Sequence, residues 1–234
     1  MTSANDPQRP TISPPFHLSA PEQAGGVISL LAALGLAGLI GWLWQRRPAW
    51  LALAGASFAA LAGVVWIFRN PDRSTAGRPG LVAVAPCDGQ VRAVALVHEP
   101  RFLKALAHRV TIIVRPGDVQ IMRAPVEGIV RYRRYQPRGH AGEADDALWI
   151  GARQPDGVRV LIKLSANRFW RLMPAFVGRR ITALTDIEEA VQQGQVIGHL
   201  PLGGEVEIYL PAGAQMAVEP GQRVRAGETA LARL

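Results

Sequence analysis

Hydrophobic and polar positions divide the chain into two unlike parts. From Ala24 to Trp44 there are 21 residues without a charge, and from Ala49 to Phe68 there are 20 more. Gln45-Arg46-Arg47-Pro48 separates them. Each run has the length of a helix that crosses a hydrocarbon core. Neither carries the polar stripe of a helix half-buried on a soluble core. Trp42, Trp44, Trp50 and Trp66 lie near the run ends, where interfacial aromatics concentrate. The pattern predicts a transmembrane helical hairpin over 24–68, with both termini on one side. Residues 1–23 are rich in Pro, Ser, Thr and Asn and read as a disordered tail. A cleaved signal peptide has a basic start and one short apolar stretch, which this pattern lacks.

After Phe68 the apolar period changes to two. Val110, Ile112 and Val114 alternate with Arg109, Thr111, Ile113 and Arg115. Val158, Val160, Ile162 and Leu164 alternate with Arg159, Leu161 and Lys163; Val206, Ile208 and Leu210 alternate with Glu205, Glu207 and Tyr209. This is the spacing of half-buried strands. Frequent Gly and Pro between them predict short turns. The expected fold class is mainly β, a barrel or sandwich domain over 69–234 behind the two-helix hairpin. Short helices are expected at Phe102–His108 and Asn167–Met173. Two segments echo each other: Ala85-Pro86-Cys87-Asp88-Gly89-Gln90-Val91 and Ala124-Pro125-Val126-Glu127-Gly128-Ile129-Val130. Each is a strand end, a tight turn and a new strand. Glu219–Glu228 reads as a paired turn of the barrel-sandwich kind.

The chain of 234 residues has a net charge of +8, with 24 Arg against 2 Lys. One cysteine, Cys87, excludes an intrachain disulfide and a Cys-rich zinc site. His98, His108, His140 and His199 have no ligand-like spacing, so no metal site is expected. The basic clusters are Arg131, Arg133, Arg134 and Arg138, then Arg168, Arg171, Arg179 and Arg180, with Tyr132, Tyr135, Phe169 and Trp170 among them. A domain tethered beside a bilayer makes anionic lipid a more economical partner than nucleic acid. Arg123, Arg131, Arg133 and Arg134 are the lipid-binding candidates, and no nucleic-acid partner is expected. Arg9, Arg69, Arg73 and Arg78 flank the hairpin, offset by Asp72, against Arg46 and Arg47 in its loop. That excess favours an inner-membrane protein with tail and domain on the cytoplasmic side.

Taken in order, four segments carry a resemblance. They are Phe68-Arg69-Asn70-Pro71-Asp72-Arg73; Val84-Ala85-Pro86-Cys87-Asp88-Gly89-Gln90-Val91; Arg115-Pro116-Gly117-Asp118-Val119-Gln120-Ile121-Met122-Arg123 with Ala124–Gly128; and Gly203-Gly204-Glu205-Val206-Glu207-Ile208-Tyr209-Leu210-Pro211. This chain resembles the phosphatidylserine decarboxylase family, especially its shorter, archaeal-type class. The resemblance implies a chain that cuts itself at a Gly-Ser bond. The serine becomes a pyruvoyl group, whose ketone forms a Schiff base with phosphatidylserine and acts as an electron sink while carbon dioxide leaves. A histidine and an aspartate are implied as activators of the serine.

The match breaks at the reacting atoms. The serine position is Gly204, after Gly203, and residues 187–228 contain no Ser, Thr or Cys. The histidine position is Gln120, whose amide takes up no proton near neutrality. The aspartate is retained as Asp88, which also fits a turn aspartate before Gly89. Gly203-Gly204 fits a close backbone approach to a ligand or a plain hairpin or bulge. The family's Asn-Glu-Arg-Asn-like stretch is replaced near Glu143-Ala144-Asp145-Asp146. The expected function is a membrane-anchored, catalytically degenerate member in phospholipid metabolism. It has no self-derived cofactor and binds membrane phospholipid headgroups, a protein partner or an active paralogue. The competing readings are an active decarboxylase working by another route and a membrane adaptor module.

Overall fold

Both uncharged runs are helical. In the computed structural model of the chain, which describes residues 22–67, 69–74, 80–137, 146–166 and 181–234, α1 spans Glu22–Gln45 and α2 spans Pro48–Ile67. Helix α1 starts at Glu22, two residues inside the expected tail. Arg46 adopts a left-handed φ of 51° and its N–H donates to Trp42 O at 2.8 Å, which ends α1. Pro48 opens α2, where its missing N–H leaves nothing unpaired. The two helices pack at near backbone contact. A Cβ on Gly38 would lie 2.8 Å from Ala54 N and 2.9 Å from Trp50 O. Both helices are long and apolar enough to cross a membrane by length and composition.

The domain that follows is mainly β. Its strands are β1 (Val82–Val84), β2 (Gly89–Glu99), β3 (Ala105–Val114), β4 (Ile121–Arg123), β5 (Gly128–Gln136), β6 (Ala147–Arg153) and β7 (Arg159–Ala166). Then come β8 (Thr182–Ala183), β9 (Ala190–Val191), β10 (Val196–His199), β11 (Gly204–Pro211), β12 (Gln215–Met216), β13 (Arg223–Val224) and β14 (Ala230–Arg233). An eight-stranded sheet runs β13-β2-β3-β11-β7-β6-β5-β9. Two three-stranded sheets run β1-β14-β12 and β4-β10-β8. The three strands expected from alternation are neighbours in the large sheet: β11 pairs antiparallel with β3 on one side and β7 on the other.

Each face of the large sheet is covered. Val110, Ile112, Val160, Ile162, Leu164, Val206, Ile208 and Leu210 point to the main core. On the other face Ala107, Trp149, Leu161 and Tyr209 form a second cluster. Glu207, a polar position in the alternation, is buried there. Arg109 Nη1 lies 3.3 Å and Lys163 Nζ 3.6 Å from its carboxylate, and the Tyr209 hydroxyl donates to it at 3.1 Å. A buried carboxylate needs such partners. Burial, then the Glu207 charge, pushes the Tyr209 hydroxyl up from its ordinary pKa.

One expected helix is a turn and a strand. At Phe102–His108 the Glu99 carboxylate accepts N–H bonds from Arg101, Phe102 and Leu103 at 2.7–2.8 Å. This capped turn leads through Lys104, at φ 54°, into β3, whose first residues pair with the end of β2. Cross-strand pairing overrides local helix propensity here. The other expected helix, Asn167–Met173, lies outside the described residues.

The echoed segments occupy equivalent places. Val84 N donates to Pro125 O at 2.9 Å and Arg123 N to Pro86 O at 2.8 Å, so the two cross reciprocally. Ala85 exchanges backbone bonds with Gly227 and Thr229, and Ala124 does the same with Gly194 and Gln195. Gly89 pairs with Val224 as Gly128 pairs with Val191.

Leu164, fully buried between Val206 and Leu148 in register, tests this core. Leu164→Ala is expected to cost about 2–5 kcal/mol, read by denaturant unfolding monitored through tryptophan fluorescence.

Candidate functional site

Gln120 follows the exposed loop Arg115–Asp118 and is 1% exposed. Its side chain joins two pieces of chain 83 residues apart. Nε2 donates to Arg115 O at 3.1 Å, Pro116 O at 3.2 Å and Asp118 O at 2.6 Å. Oε1 accepts the Gly203 N–H at 2.6 Å. One amide therefore ties the 115–118 loop to the turn before β11, using both its donor and its acceptor ends.

Gly203 lies against the backbone of β3. Its φ is 76°, and a Cβ there would lie 2.2 Å from Val114 O. The chain segment that approaches it is the end of β3. Gly204 heads β11 opposite Val114 and Ala166. It offers backbone atoms alone, with no hydroxyl to attack the Gly203 carbonyl.

Asp88 is engaged elsewhere. Its carboxylate pairs with Arg73 through both oxygens, Oδ2 at 2.7 Å from Nη2, and Oδ1 accepts the Ala226 N–H at 2.8 Å. Arg73 Nη1 also donates to Ala226 O at 3.1 Å. Burial alone would lower the Arg73 pKa; the hydrogen bond and charge of Asp88, with Glu228, outweigh it and raise it. Among the described residues no hydrogen bond joins Asp88 to Gln120 or Gly203. The structure brings Gln120 and Gly203 together and leaves Asp88 in a separate bidentate pair.

The arginine candidates are largely committed. Arg123 Nη1 donates to Gly194 O at 2.9 Å, and Nη2 to Asn70 Oδ1 at 2.9 Å and Pro71 O at 3.1 Å. Burial and then the neighbouring Arg73 lower its pKa. Arg131 pairs with Glu188. Arg133 pairs with Asp186 at 2.5 Å and donates to Thr185 O at 2.9 Å. Arg134 is exposed on the same strand. Arg138, His140, Glu143, Ala144 and Asp145 lie outside the described residues, as do Arg168, Phe169, Trp170, Arg171, Arg179 and Arg180.

Cys87 is fully buried, and burial, then Asp88 and Asp118, push its thiol well up, away from a reactive thiolate. Among the described residues no three His, Cys, Asp or Glu side chains cluster as metal ligands would. Sequence reasoning missed Arg73 as the partner of Asp88, and it missed Arg69, whose Nη2 donates to Gly117 O at 3.1 Å. Both stand in the matching segment Phe68–Arg73, where the signal was a basic residue at each end of Asn70-Pro71-Asp72.

Comparison with known proteins gives a consistent set. A family model described as Phosphatidylserine decarboxylase matches residues 61–232. The chain is 36% identical over 188 residues to a phosphatidylserine decarboxylase proenzyme of Symbiobacterium thermophilum, covering 77% of this chain and 83% of that protein. It is 32% identical over 212 residues to that of Carboxydothermus hydrogenoformans, covering 87% and 92%. It is 33% identical over 225 residues to that of Mycobacterium avium, covering 94% and 87%.

The amide grip is testable by stability. Gln120→Leu removes every one of these bonds, while Arg115 O keeps the Asp118 N–H at 3.0 Å and the Gly203 N–H keeps Leu200 O at 3.3 Å, and a buried group left unpaired costs about 1–3 kcal/mol. The expected outcome is a loss of about 1–3 kcal/mol together with faster hydrogen exchange at the Gly203 amide.

Proposed function

The chain belongs to the phosphatidylserine decarboxylase family, and on that premise we propose that it is a membrane-anchored member that neither cleaves itself nor decarboxylates. It keeps the scaffold as a phospholipid-binding module in phospholipid metabolism, alone or beside an active paralogue or protein partner. Its hairpin lies in the inner membrane with the domain on the cytoplasmic side, as the arginine excess on the flanks favours.

The observation that carries this reading is the hydrogen-bond state of Gln120. A residue that activates a hydroxyl must accept its proton. The acceptor end of Gln120 is occupied by the Gly203 N–H, and its donor end points at three carbonyls. Neither end titrates near neutrality. The pyruvoyl group implied by the resemblance does not fit these residues, because Gly204 has no side-chain oxygen from which to make it. Asp88, the retained member of the set, is neutralised by Arg73 and serves the fold. Two independent losses and one diversion leave no group to start self-cleavage.

Lipid binding has a different support. The domain is net basic: residues 69–234 carry 23 Lys and Arg against 16 Asp and Glu. It also follows the apolar hairpin within a few residues, so its local concentration at a lipid surface is high.

The test is direct. Purified full-length chain, incubated with vesicles containing carboxyl-labelled phosphatidylserine, is expected to release no labelled carbon dioxide and to form no phosphatidylethanolamine. Conversion above the rate of vesicles alone overturns the proposal and makes the chain an enzyme by another route. A chain that is inactive and also indifferent to anionic lipid, and that co-purifies with one stoichiometric protein, is an adaptor.

A further inference from the structure

Helix α2 does not run into a free linker. Arg69 turns back on the helix end: Nη1 donates to Trp66 O at 2.7 Å, and the guanidinium stacks 4.2 Å from the Trp66 ring centroid. Nη2 of the same side chain reaches forward to Gly117 O at 3.1 Å. Asn70 and Pro71 are then held by Arg123, and Arg73 by Asp88. The end of the helix is thereby fastened to the domain at three successive points, and the first of them is the 115–118 loop. With α2 across a bilayer, Trp66 sits at headgroup level, as tryptophans at span ends do. Gly117, one guanidinium away, lies in the same layer.

The chemistry around that loop suits the layer. Arg115, Pro116 and Gly117 are exposed. Arg223, with its side chain 59% exposed, pairs with Asp118 Oδ1 at 2.6 Å. Arg115 donates from Nη2 to Gln90 Oε1 at 3.2 Å and from its backbone N–H to Asp118 Oδ2 at 2.8 Å. Three arginines thus border one loop, Arg69 through Gly117 O, Arg115 from within it and Arg223 through Asp118, and the loop's one carboxylate is 11% exposed with both oxygens engaged. Each guanidinium carries five N–H donors and spends at most two here, so donors remain for phosphate. On β5 the balance is different, because Arg131 and Arg133 each face an acid of their own.

We infer that Arg69, Arg115 and Arg223 form a cradle for lipid phosphate on the 115–118 loop, set at the surface of the bilayer that holds the hairpin. The occupant is the headgroup layer of an anionic phospholipid. This rests on the membrane-anchored reading above. Gln120 grips the same loop from behind through three carbonyls. The family-equivalent position therefore stands directly under the headgroups.

Spin labels on the full-length chain in vesicles test this. Gly117→Cys places a label where a Cβ meets nothing within 4 Å, and Gly55→Cys does the same within α2. Native Cys87 is buried and stays unlabelled. The vesicles are phosphatidylcholine with or without phosphatidylglycerol, and the readout is collision with oxygen against a neutral water-soluble nickel chelate. The Gly55 label is expected in hydrocarbon. The Gly117 label is expected at headgroup depth, more shielded from nickel when phosphatidylglycerol is present. That added shielding should weaken by about fivefold for each arginine replaced in Arg115→Gln and Arg223→Gln. It should also fall with added salt in the unaltered background, which needs no refolded variant. A Gly55 label in water removes the anchor and the cradle with it. A Gly55 label in lipid beside a Gly117 label fully open to nickel overturns the cradle alone. Shielding that ignores both phosphatidylglycerol and salt does the same.

Discussion

A buried polar side chain must find partners for each end, and the centre of this molecule is organised by how one amide does so. Gln120 lies where the chain passes from an exposed loop into β4. It draws three carbonyls of that loop around its donor end and the N–H of Gly203 onto its acceptor end. A buried amide left unpaired would cost more than its bonds return, so loop and turn are held together through it. Gly203 can sit there because it lacks a side chain: its left-handed φ and the 2.2 Å that a Cβ would leave to Val114 O exclude any other residue without movement of β3. The arrangement is a structural clamp between the 115–118 loop and the turn before β11.

The rest of the site follows from the same economy. Asp88 binds Arg73, and Arg123 holds Asn70 and Pro71. Those two arginine contacts lay the segment after α2 along the domain. Arg69 completes the attachment by linking Trp66 to Gly117. Groups at family-equivalent positions thus serve to fasten the domain to the helix pair. The reciprocal crossing of the two echoed segments supplies the rigid base: Asp88 lies within one of them, and Arg123 leads into the other.

Much of this was legible in the chain. Period-two alternation located β3, β7 and β11, because each has one face in the main core. The echo of Ala-Pro-x-acid-Gly-x-Val located two equivalent turns. The burial of Glu207 was not legible, since alternation reports one covered face and this sheet has two. The segment from Phe102 was misjudged as helical because its fate depends on Glu99, whose carboxylate caps a turn that local propensity does not reveal. The lipid candidates Arg123, Arg131 and Arg133 looked free because their partners lie 52 to 71 residues away in the chain or across the sheet. Long-range ion pairing leaves no periodic trace. Arg69 and Arg115, in contrast, were visible within matching segments, but their relation to the helix end needed the fold.

On the proposed reading the chain stays whole, with Gly203-Gly204 inert. The intact mass of the purified full-length protein tests it most directly. One species is expected, with the mass of 234 uncleaved residues, less any initiator methionine. Two fragments divided at Gly203-Gly204, with a carbonyl-bearing N-terminus on the smaller, would contradict it.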